Sequence, residues 1–152
     1  MIDYEELNEF VGKCGKDTKI YCGCDSGAFK KHGVPMAVYT LAIVVHINGK
    51  NGGRLFYENV TERDYSVSKN KPSPRLMMEV HKVSELYLTM LEKCENVLDR
   101  DIEIHIDFNP IEDHFSSTVI KEAIGYVRGV CQVDPVVKPA AFAASTIADR
   151  FH

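Results

Sequence analysis

The passage from Met36 to Ile47 constrains this chain most, because Val38, Leu41, Ile43, Val44 and Val45 make it strongly apolar and rich in β-branched residues. Such a stretch fits a buried strand far better than a helix, where branched side chains lose rotamer freedom. Asn48-Gly49-Lys50-Asn51-Gly52-Gly53 then forms a turn cluster, and Arg54 to Val60 reads as the returning strand of a hairpin. At 152 residues and 45% hydrophobic content, the chain is expected to form one domain, residues 1–152, with a sizeable core.

Other elements follow from periodicity. Leu7, Phe10 and Val11 recur at helical spacing, predicting an opening helix over 3–13 with Asp3 as N-cap and Glu6 as its capping-box partner. Residues 19–25 read as a strand, with Ile20, Cys22 and Cys24 on one face and Tyr21, Gly23 and Asp25 on the other. Ser26-Gly27-Ala28 is expected to turn out of it. A long helix starts at Ser73-Pro74 and carries Leu76, Val80, Val83, Tyr87, Met90 and Leu91 on its apolar stripe. Residues 102–107 alternate, three isoleucines against Glu103, His105 and Asp107. A helix over 117–128 stopped by Gly129, a short edge strand over 133–137 and an alanine-rich helix over 140–150 complete the order. A meander followed by alternating helices and strands implies an α/β domain with one mixed sheet and helices packed on it.

Within that order, four acids stand where elements end or border a core. Asp25 and Asp107 close two apolar strands, Glu79 borders the stripe of the long helix, and Asp149 lies near the end of the last helix. A carboxylate at a helix C-terminus faces the negative end of the macrodipole, at a cost of ~0.3–1 kcal/mol that a bound cation reverses. Hard divalent ions take oxygen ligands, and two such ions can clamp a phosphoryl displacement. The acids therefore point to a metal-dependent nuclease using two magnesium or manganese ions. Each acid also has a plainer reading: a turn residue for Asp25, a solvated helix charge for Glu79, a loop cap for Asp107, a frayed ion pair with Arg150 for Asp149.

The ordered motifs Cys22-Gly23-Cys24-Asp25-Ser26, Pro74 to Val80, His105-Ile106-Asp107-Phe108-Asn109-Pro110, Gly125-Tyr126-Val127-Arg128-Gly129 and Lys138-Pro139-Ala140 through Ala148-Asp149 are similar to those of the ribonuclease H fold. More narrowly, they resemble a largely uncharacterised family of bacterial and phage proteins described as ribonuclease H-related nucleases, over about residues 18–150. The resemblance implies a ribonuclease H-like central five-stranded sheet, flanked by helices, in which the first strand pairs with the fourth. It also implies a two-metal site built from Asp25, Glu79, Asp107 and Asp149. Ser26, Arg75 and Lys138 are the candidates for substrate contact. Gly27 departs from the polar residue expected after the Asp-Ser pair in many relatives.

A net charge of −4 neither supports nor opposes a nucleic-acid partner, because bound cations would reverse the local sign. DNA, RNA and hybrid stay open as substrates, as does the oligomeric state, and no clear aromatic stacking platform stands out. His105 and His114 are secondary candidates for proton transfer, though a satisfied, partly buried histidine is the commoner case. Five cysteines without a framework spacing suggest reduced thiols and a cytoplasmic location. Cys22-Gly23-Cys24 lacks the second pair of a zinc site. No apolar run reaches the ~18 residues of a membrane span. A different class of function, a non-catalytic nucleic-acid or protein-interaction module on the same fold, is the alternative.

Overall fold

The computed structural model describes residues 1–47, 52–64, 73–107 and 117–137. The expected final helix, with Asp149, lies outside them, as do Lys138, His114 and the Asn109-Pro110 pair. Helix α1 spans Tyr4–Gly12, followed by strands β1 (Lys19–Lys31), β2 (Val34–His46) and β3 (Gly53–Arg63). Helix α2 (Ser73–Lys93), a 3-10 turn at Glu95–Val97, β4 (Asp101–Ile106), α3 (Ser117–Cys131) and β5 (Val136–Val137) complete the order.

The strands form one sheet in the order β3-β2-β1-β4-β5. β1 pairs antiparallel with β2 and β2 with β3, while β1 pairs parallel with β4 and β4 with β5. First strand beside fourth is the expected pairing, and the sheet is mixed. Its register aligns Ile104, Cys22, Ile43 and Phe56 across four strands, and all four side chains are buried. Leu76, Val80, Val83 and Met90 of α2 belong to the same core, as do Ala123, Val127 and Cys131 of α3. Each apolar side chain of this size contributes about 1.5–3 kcal/mol by leaving water. That is why α2 is held along β1 and α3 along α2. Cys22 and Cys24 are core residues as expected, and all five cysteines are free thiols.

Several element ends differ from the sequence expectation: β3 runs on to Arg63, β5 is confined to Val136–Val137, and β1 and α3 both extend further than expected. β1 does not turn at Ser26-Gly27-Ala28 but continues to Lys31, because each of those residues pairs with β2: Ser26 with Tyr39, Gly27 with Val38, Ala28 with Ala37. The reversal comes instead at His32-Gly33, both with positive φ (51° and 79°), the two-residue turn whose twist matches a hairpin. α3 runs through Gly129 to Cys131, and left-handed Gln132 (φ 58°) follows its last residue. Asp3 caps α1, its carboxylate accepting from the Glu6 amide at 3.1 Å. Glu6 does not close the reciprocal box; its carboxylate pairs with Arg54 of β3. The far end of α1 is closed from a distance by the Arg100 guanidinium, which donates to the carbonyls of Val11 and Cys14.

Candidate metal centre

The parallel ladder between β1 and β4 ends at the pair Gly23–His105. Two residues beyond that pair, on the two neighbouring strands, come Asp25 and Asp107, both half-buried. Parallel register holds side chains of the same parity on the same face, so the two acids follow from one alignment. His105, beside them, is a packing residue: it is 2% exposed, its ring stands 4.8 Å from that of Tyr21, and Nε2 is 3.4 Å from Glu103. Burial lowers its pKa, with Glu103 opposing.

Glu79 arrives from the other element. It lies between Leu76 and Val83, whose burial seats α2 on the sheet and turns this stretch of the helix toward β1. The Ser26 hydroxyl donates to Glu79 Oε2, tying α2 to β1 one residue past Asp25. Burial pushes the Glu79 carboxyl well above the usual carboxylate range, and the Asp25 charge raises it further. The Ser26 hydrogen bond and the Arg75 guanidinium oppose that rise, while Asp107 adds a smaller push upward. Cys24, buried between these groups, is raised by burial first and then by Glu79 and Asp25. Two aspartates separated from Glu79 by tens of residues in the chain thus act on it at the end of the β1–β4 ladder.

The two substrate-contact candidates among the described residues, Ser26 and Arg75, are engaged within the chain. Ser26 serves Glu79, and Arg75 stands 3.7 Å from Asp64, an acid only 7% exposed that follows β3. Asp64 is a site neighbour that sequence reading missed, since it falls in the polar connection after β3 and carries no periodic signal. Lys82, one turn along α2 from Glu79, reaches Glu62 at 2.6 Å and stands over the Tyr39 ring at 4.9 Å. Tyr39 is pushed up to about 12 by burial, then by Asp64, Glu62 and Glu79. Positive and negative groups therefore alternate beneath the first half of α2, and Arg75 and Lys82 hold the acids on that face in place.

A buried glutamate raised by two neighbouring aspartates supplies carboxylate oxygens that fit a hard divalent cation, which would offset that repulsion. As the side chains lie, no three His, Cys, Asp or Glu residues among the described ones are grouped closely enough to hold an ion. Glu79 is turned to Ser26 instead. The fit is one of chemistry and proximity, with closure left to side-chain rotation. Among the described residues, no helix is long and apolar enough to cross a membrane.

No curated protein and no solved structure matches the chain. A family model described as Ribonuclease H-like matches residues 4–152, from the first turn of α1 to the last residue. With that span, and with the mixed five-stranded sheet and its first strand against its fourth, the chain belongs to the ribonuclease H-like family.

Proposed function

We propose that this protein is a metal-dependent nuclease that hydrolyses phosphodiester bonds of a nucleic acid, with Asp25, Glu79, Asp107 and Asp149 as ligands of two magnesium or manganese ions. The observation that carries the reading is positional. One parallel register brings Asp25 and Asp107 to the same end of the sheet, and the Ser26–Glu79 hydrogen bond brings the helix acid beside them. The charges of Asp25 and Asp107, which both raise the Glu79 carboxyl, support it, because a purely structural site gains nothing from gathering like charges. Family membership supplies the nuclease-type fold.

When bound, divalent ions would supply an activated water and stabilise the departing oxygen. The chain's own contribution is positioning. Strand β1 holds Asp25, Asp107 follows directly on β4, Ser26 orients Glu79, and Arg75 limits how far the Glu79 carboxyl is driven toward protonation. The test is cleavage of single strands, duplexes, hybrids and junctions with and without magnesium or manganese. Asp25→Asn and Asp107→Asn should each lower the rate by more than ~10²-fold, since loss of groups one shell further out already costs 10–100-fold. Undiminished cleavage in both folded variants rules the centre out.

The alternative, a non-catalytic binding module, takes its support from the described residues, among which no three His, Cys, Asp or Glu side chains are grouped closely enough to hold an ion. Tight metal-free strand binding with no cleavage of any substrate would favour it.

A further inference from the structure

We propose that the far end of the β1–β2 hairpin is a docking strip for an unpaired nucleic-acid strand, holding the segment that flanks the bond to be cut. Its placement relative to the bond rests on the nuclease reading; its binding chemistry does not. Because β1 continues past Asp25, alternation puts Asp25, Gly27, Phe29 and Lys31 on one face of the strand. Gly27 adds no side chain between the acid and the ring. The register sets Phe29 beside Met36 and Met36 beside Arg63, so the ring belongs to a row of flat, apolar and cationic groups.

Phe29 is 42% exposed, and an exposed aromatic on a flat sheet surface is a stacking platform that any base can use. Lys30, Lys31 and His32 are exposed around it. The nearest carboxylates, Glu62 and Asp64, already face Lys82 and Arg75. The tip is therefore a cationic end on a chain of net charge −4, complementary to a phosphate backbone. Base faces are hidden in a duplex, so the ring selects an unpaired strand. Phe29 lies about 13 Å along the strand from Asp25, at ~3.3 Å per residue. At the stacked spacing of ~3.4 Å, that is no more than about four nucleotides from the reacting phosphate.

The experiment is fluorescence anisotropy in EDTA with the full chain, using a labelled oligothymidylate and the same strand annealed to its complement. Wild type should prefer the single strand. Phe29→Ala should weaken that binding by about tenfold, the scale of one lost stacking contact, and Phe29→Tyr should preserve it. The double variant Lys30→Glu, Lys31→Glu should flatten the salt dependence of single-strand binding by a slope of about 1.4, the contribution of two phosphates. Wild-type affinity in Phe29→Ala, an equal loss on both probes, or no binding of either probe by wild type would overturn the strip. A chain that cleaves nothing yet binds strands through Phe29 defeats the nuclease reading and leaves the strip standing. Cleavage that depends on Asp25 but is untouched by Phe29→Ala, in rate and in strand binding, does the reverse.

Discussion

Glu79 is a carboxylate that burial and neighbouring charge both disfavour. Its folded-state pKa is raised by burial and by Asp25, so the folded protein holds a proton that the unfolded chain gives up at the ordinary carboxylate value. Between those two values the folded state binds more protons than the unfolded state, and stability falls as pH rises. In EDTA, melting temperature should therefore decline from mildly acidic toward neutral pH. Glu79→Gln should remove most of that decline and raise stability at neutral pH by about 1–3 kcal/mol, the scale for an ill-matched buried polar group. That corresponds to a rise of about 2–10 °C, measurable by calorimetry across pH. A decline identical in wild type and Glu79→Gln would place its cause elsewhere. Ser26 belongs to the same account: a sequence reader sees a residue beside an acid, whereas its hydroxyl is committed to Glu79.

At the scale of elements, the hairpin and α2 show how local signals and long-range pairing share control. Sequence reading places the reversal at Ser26-Gly27-Ala28, whereas the structure turns at His32-Gly33, where Gly33, at φ 79°, has nothing within 4 Å of the position a Cβ would take. Gly33→Ala should therefore cost about 1–2 kcal/mol through backbone conformation alone, and His32→Asn in the same chain should recover part of it by suiting the turn better. Urea titration of the two variants checks this; an unchanged midpoint in Gly33→Ala would contradict the turn assignment. Along α2 the apolar stripe was legible by period. Met90→Ala, at a fully buried position, should cost about 2–5 kcal/mol. Leu88→Ala, on the exposed side at 41%, should lie within about 0.5 kcal/mol of wild type.

For the whole molecule, metal binding is a linkage question. An ion that binds the folded chain and not the unfolded one stabilises it by about 2.7 kcal/mol at a hundred times its dissociation constant. For a chain of this length that is a rise of roughly 5–10 °C in melting temperature. Manganese or magnesium should produce such a rise in wild type at neutral pH and a much smaller one in Asp25→Asn, read by differential scanning fluorimetry. Equal shifts in both proteins would locate the ion away from the acids. Salt matters on the same scale: cations at the hairpin tip and anions at the ladder end are separated within one strand, so ionic strength should weaken strand binding more than it alters stability.

Periodicity and punctuation along the chain determined a good deal: the branched run of β2, the stripe of α2, the Asp3 cap and the clean alternation of β4 are short-range effects, set by residues a few positions apart. Asp107 follows the end of β4 as its alternation implied, whereas Asp25 lies inside β1 rather than at its end. What tertiary structure decided is whatever depends on partners far away in sequence. Ser26-Gly27-Ala28 has turn-forming composition, yet thirteen pairs with β2 carry β1 through it to Lys31. Glu6 abandons its own helix end for Arg54, and Ser26 meets Glu79 fifty-three residues on. Local preferences are worth a few tenths of a kcal/mol to about 1 kcal/mol per residue, and a ladder closed on a buried core outweighs them, so only the folded sheet could show that Phe29 and Asp25 share one face of one strand.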